Sequence, residues 1–162
     1  MPDGAFGELV AHAAFAGLEA DTEFGPWHIG GTAEIGTVNA ETRNGLFTEI
    51  SPLATSAFAL HATRQTPDGG AFRVSVSQPL RVEDGRATLA LPSGRTTAGE
   101  VVRSAVALDA EPGGRQVDLA LQWQQPLDLG LLRIGATLSH EPGHRKNADP
   151  ELILLSGWRH AF

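Results

Sequence analysis

Cysteine is absent from the 162 residues, which excludes disulfide scaffolds, Cys-ligated zinc and thiol chemistry. No apolar stretch approaches the roughly 18 residues that a membrane-spanning helix needs. Positive charge is short as well: 12 Lys+Arg against 19 Asp+Glu leave a net charge of −7. A nucleic-acid-binding surface needs clustered positive charge, so that class is set aside. Tyrosine is missing too, and the aromatics are seven Phe and three Trp. Acidic residues in Met1-Pro-Asp-Gly-Ala-Phe-Gly-Glu8 occupy the place where a signal peptide needs Lys or Arg. A chain starting here was either cut from a longer precursor or never exported.

What is plentiful is punctuation and alternation. The 19 Gly and 10 Pro fall between runs of period-2 hydrophobicity. Val74, Val76, Leu80 and Val82 oppose Arg73, Ser75, Ser77 and Arg81, with Gln78 breaking the apolar set. Val117, Leu119, Leu121 and Trp123 oppose Gln116, Asp118, Gln122 and Gln124, while Leu132, Ile134, Ala136 and Leu138 oppose Arg133, Thr137 and Ser139. Shorter versions occupy residues 86–91 and 27–37. Turn chemistry separates them at Pro67-Asp-Gly-Gly70, Glu83-Asp-Gly85, Pro92-Ser-Gly94, Pro112-Gly-Gly114 and Pro142-Gly143. The spacing predicts one all-β, antiparallel domain over 1–162, an up-and-down meander or partial barrel of about eight or nine strands. Residues 5–18 are Ala-rich, where helix and strand compete; flanking glycines favour strand.

The last run alternates up to the terminal aromatic. Leu152, Leu154, Trp158 and Phe162 share one face, interrupted by Ser156 and His160. Outer-membrane barrels close with such a strand, its apolar face toward lipid. An ordinary core strand is the plainer alternative. Membrane barrels also carry aromatic girdles that are usually rich in Tyr, which this composition does not supply.

From about Phe24 onward, and most strongly over 72–144, the chain resembles an autotransporter-type β-domain. The similarity is to the domain downstream of the catalytic domain in subtilisin-like serine proteases of Gram-negative bacteria. Phe24-Gly-Pro-Trp27 and Leu53-Ala-Thr-Ser-Ala-Phe-Ala-Leu60 carry it first, followed by Val74-Ser-Val-Ser-Gln-Pro-Leu-Arg-Val-Glu83 and Ala87-Thr-Leu-Ala-Leu-Pro92. Pro112-Gly-Gly-Arg-Gln-Val-Asp-Leu119 and Glu141-Pro-Gly-His144 complete it. The resemblance implies a non-catalytic β-domain at the outer membrane that anchors or helps export a passenger protease. A second expectation is a soluble or membrane-peripheral accessory subunit of a larger complex, favoured if Met1 is the native start. A third, a lipocalin-like binder, requires a closed barrel with an apolar interior.

Chemical motifs are few. Thr55-Ser56 superficially resembles a subtilisin nucleophile segment, but that chemistry needs Ser at a helix start with His and Asp partners, and here Ser56 lies in an alternating run. No catalytic residue, cofactor site or metal site is therefore expected. His140, Glu141 and His144 are a compact set of metal-ligand types, yet Pro142-Gly143 between them reads as a solvated turn. The acidic run Glu19, Asp21, Glu23 lacks the glycine and distal Glu of a calcium loop. Arg73, Arg81, Arg86, Arg115 and Arg133, with Glu83, Asp84 and Asp118, fall on polar faces or strand ends. They would line a lumen in a barrel and face water in a sandwich.

Overall fold

The structure is a computed structural model that describes residues 8–43 and 45–160. It is all-β, with no α-helix among the described residues. Ten strands follow one another: β1 (Glu8–Phe24), β2 (Trp27–Arg43), β3 (Phe47–Ile50), β4 (Leu53–Gln65), β5 (Ala71–Asp84), β6 (Arg86–Arg95), β7 (Val101–Asp109), β8 (Val117–Leu127), β9 (Gly130–His140) and β10 (Glu151–His160). Seven form one sheet in the order β1-β2-β4-β5-β8-β9-β10, and three form another in the order β3-β6-β7.

The larger sheet is the meander that the alternation predicts, since its neighbours follow in chain order once β3 and the β6–β7 hairpin are set aside. The Ala-rich segment is strand from Glu8 onward; its first three residues, 5–7, and the expected closing residue Phe162 lie outside the described residues. The sheet is open. Among the described residues β1 and β10 stand at the two ends of the strand order, and no closed barrel forms.

The chain divides into two compact units. One holds the first part of β1 together with Ile35–Ser56 and Val82–Pro112. Its three-stranded sheet pairs Ala87 with Leu108 and Leu89 with Val106. Ser51 joins its turns, its amide donating to Arg86 O at 2.9 Å while its hydroxyl accepts from the Arg86 amide at 2.8 Å. The expected turn at Pro92-Ser93-Gly94 is instead a bulge inside β6, where the register shifts. The hairpin turns at 96–100, closed by Thr96 N–H to Glu100 O and Gly99 N–H to Thr96 O, both 2.9 Å.

The second unit holds Gly17–Glu34, Ala57–Arg81 and Gly113–Phe162. Its turn at 66–70 repeats the same five-residue closure, with Thr66 and Gly69 in the roles of Thr96 and Gly99. Gly69 has φ +80° and Gly99 φ +86°, a conformation that glycine adopts without a Cβ penalty. Here β5, β8, β9 and β10 pair in long, unbroken antiparallel registers. The rows across them are Val76–Leu119–Leu138–Leu152 and Val74–Leu121–Ala136–Leu154. Opposite faces alternate along each strand, so these rows lie on one side.

Candidate functional site

The apolar rows form an exposed surface. Leu119, Leu121, Ile134 and Leu138 are open to the surroundings, and Leu152 and Leu154 are 61% and 70% exposed. Trp158, opposite Leu132, is 49% exposed on the same face. Three of the four expected closing-strand residues, Leu152, Leu154 and Trp158, are thus gathered on one apolar face. The intervening rows are polar: Ser77–Asp118–Ser139–Glu151 runs across all four strands. An open groove is lined by polar Arg73, Gln122 and Arg133 together with Trp123, Ile134 and Leu155. Of these four strands, β10 is apolar on both sides, because Ile153 and Leu155 join its polar-face positions and are exposed there.

Burial does not follow polarity as it does in a soluble core. Ala71 is the one buried hydrophobic residue among the described residues, whereas Thr55, Gln78, Arg81 and Ser139 are all buried. Leu119, Leu121 and Trp123 are exposed, so they do not line the apolar interior that a lipocalin-like binder needs.

Three of the segments quoted above, Val74–Glu83, Pro112–Leu119 and Glu141–His144, meet in one polar clasp. Buried Arg81 donates from Nε to Gly114 O at 3.0 Å. The Arg115 guanidinium donates to Gln78 Oε1. Glu141 accepts from two backbone amides, Arg115 at 2.7 Å on Oε2 and Asn147 at 3.0 Å on Oε1. These bonds to the charged form, the Arg115 amide first and the Asn147 amide second, hold the Glu141 carboxyl below its ordinary pKa. His144 Nδ1 accepts from Gln116 N–H at 3.0 Å, which leaves Nε2 to carry hydrogen toward Leu80 O at 3.2 Å. Gln116 in turn accepts from Gly143 N–H at 2.7 Å and donates to Asp118. Glu141 and His144 therefore pin the 141–150 connection to β5 and to the entry of β8. Both carry left-handed backbone, φ 48° and 56°, which the clasp holds in place. Of the His140, Glu141, His144 set, two members serve as hydrogen-bond anchors.

Ser56 donates to Glu83 Oε1 at 2.5 Å, an acidic partner where a nucleophile would face an imidazole. Arg86 is exposed and 3.5 Å from Asp109, while Arg73 and Arg133 lie along the open groove.

A different cluster was not legible in sequence. Asp21 of β1, His28 of β2 and His61 of β4 bring three ligand atoms together, all within 4.8 Å of one another. Their chain separations of 7 and 33 residues form no motif; only strand pairing unites them.

Several aromatic side chains lie near strand ends, while Phe15 and Phe58 lie mid-strand in β1 and β4. Phe24 ends β1, Trp27 starts β2, and Phe72 lies at the start of β5 opposite Trp123. Trp158 lies near the end of β10, and the Arg64 guanidinium is 6.0 Å from the Trp27 ring centre. No family model, curated protein or solved structure matches the chain, so its own geometry carries the functional reading.

Proposed function

We propose that this chain is a non-catalytic, autotransporter-like β-domain that sits in the outer membrane and anchors or helps export a passenger resembling a subtilisin-type protease. The observation that carries the reading is the pair of faces on β5, β8, β9 and β10: one apolar and largely exposed from β8 to β10, the other mainly polar outside β10. Lipid is the occupant that suits the apolar side, because β8, β9 and β10 pair along their length within the sheet.

Strand dimensions support the same reading. The seven strands of the larger sheet run from 10 to 17 residues, against about 9–11 needed to cross a bilayer at a tilt. At about 3.3 Å per residue and a tilt of about 45°, the 11 residues of β8 cover roughly 26 Å along the membrane normal. Connections also alternate. Residues 25–26, 66–70 and 128–129 make short turns, whereas 44–52, 85–116 and 141–150 are long. In a meander alternate connections fall at the same end, which is the pattern of short periplasmic turns and longer outer loops. Phe24, Trp27, Phe72 and Trp158 lie toward the short-turn end of their strands, where a girdle would meet the interface, while Phe15 and Phe58 lie mid-strand.

The exposed edge strands β1 and β10 support a second reading, a soluble or peripheral accessory subunit, because open edges recruit strands from partners. Membrane fractionation with unboiled gel mobility separates the two. Trp fluorescence in vesicles of brominated lipid adds a direct probe, since Trp123 and Trp158 share the apolar face. The membrane reading expects detergent dependence, heat-modifiable migration and strong quenching. A monodisperse protein without detergent, unquenched by brominated lipid, overturns it in favour of the subunit.

A further inference from the structure

We infer that Asp21, His28 and His61 form a binding site for one divalent transition-metal ion, with zinc as the best match. The site is independent of whether the sheet lies in lipid.

The donors converge from three neighbouring strands. Asp21 Oδ1 is 3.2 Å from His28 Nε2 and 3.9 Å from His61 Nε2. Ligand atoms placed about 2.0–2.1 Å from a tetrahedral zinc lie roughly 3.3–3.4 Å from one another, so small side-chain rotations seat an ion among them. The two imidazole rings are 6.2 Å apart and inclined at 38°, with both Nε2 atoms turned toward the same carboxylate oxygen. An ordinary ion pair would need one imidazole. Two protonated imidazoles on one carboxylate would repel each other, whereas two neutral ones and a carboxylate together match the donor set of zinc.

The backbone makes room for the ion. Gly30, two residues after His28 and on the same side of β2, is buried beneath the cluster. A Cβ there would lie 2.0 Å from Asp21 Oδ1 and 2.8 Å from His61 Nε2. Any side chain at this position would fill the space between the donors. His61 is half-buried, while His28 and Asp21 are 50% and 40% exposed, so an ion enters from solvent and keeps an open position for water. Because β1 is an edge of the sheet, the bound ion ties that edge to its two inner neighbours.

The test uses the tag-free full chain, stripped with chelator and titrated with Zn²⁺ alone by calorimetry, and with Co²⁺ to read ligand-field absorption. One ion per chain is expected, accompanied by shifts of the His28 and His61 ring resonances. His28→Ala and His61→Ala should each weaken binding by tenfold or more, at least the loss typical of removing an outer-shell partner. Gly30→Ala should block binding with all three donors intact, and His140→Ala should leave it unchanged. Circular dichroism checks strand content in each variant. If a variant loses its strands, the wild-type resonances decide, because zinc held elsewhere leaves the His28 and His61 signals unmoved. Absence of saturable 1:1 binding, unmoved ring signals, or wild-type affinity in the folded His28→Ala/His61→Ala double variant would each overturn the site.

Discussion

Two adjacent rows of the larger sheet differ in almost everything except their backbone. Val76, Leu119, Leu138 and Leu152 are apolar, and the last three are exposed; Ser77, Asp118, Ser139 and Glu151, one residue along, are polar, and Ser139 is buried. The rows share strands, hydrogen bonds and register, so only the side of the sheet distinguishes them. A soluble domain turns its Leu row inward and its Asp and Glu row outward. Here three residues of the Leu row are exposed and Ser139 of the polar row is buried, which teaches that the two rows do not follow the burial order of a soluble core.

The sharpest way to break this comparison is to place one charge on each face at neighbouring positions. Leu121→Arg should cost about 2–4 kcal/mol in lipid, the range for a cation on the lipid face near mid-depth. Gln122→Arg, on the opposite face, should stay within about 0.5 kcal/mol. Denaturant unfolding in vesicles measures both; equal losses would erase the distinction between the faces.

The polar side can be tested through its clasp. Arg81→Met keeps the aliphatic stem but leaves the Gly114 carbonyl without its 3.0 Å donor. A loss of about 1–3 kcal/mol is expected, the range for a buried polar group left unpaired. An unchanged unfolding midpoint would mean that water replaces the guanidinium without penalty.

A smaller effect is expected from acid. The Glu141 carboxyl titrates below its ordinary value of 4.5 in the folded chain, because the Arg115 and Asn147 amides bind the ionised form. Its contribution is complete above the ordinary value and is lost as pH falls through the lowered folded value. Stability measured downward from pH 5 should fall less steeply in Glu141→Gln than in wild type. Parallel acid limbs in the two proteins would remove Glu141 from the clasp.

The smallest change should come from Arg86→Ala. Arg86 and Asp109 are each 79% exposed and 3.5 Å apart, so solvent screens the pair. A shift under about 1 kcal/mol is expected, decreasing with added salt.

Legibility followed the range of the interaction that decides each feature. Strands β5, β8 and β9 were readable because Val74–Val82, Val117–Trp123 and Leu132–Leu138 alternate strictly enough to report one apolar side. Strand β7 was not, since Val101-Val102 and Ala105-Val106-Ala107-Leu108 place apolar residues on both sides of an edge strand. The 96–100 turn was missed because Thr-Thr-Ala-Gly lacks the Pro-Asp pair of its counterpart at 67–68. Pro92-Ser93-Gly94 read as a turn, yet pairing with β7 absorbs the irregularity as a bulge. At 141–144 the turn was legible and its partners were not. His144 binds Gln116 and Leu80 backbone atoms 28 and 64 residues away, which no local pattern reveals.

By itself the sequence determined the fold class, the alternation and most of the turns, because strand period and turn conformation are set by a few consecutive residues. The lack of a long apolar run ruled out a membrane helix without ruling out an apolar sheet face. The tertiary structure alone decided which sides align across four strands, how the clasp closes, and that Asp21, His28 and His61 meet above Gly30. Those outcomes depend on register, and register is a relation between segments distant in the chain.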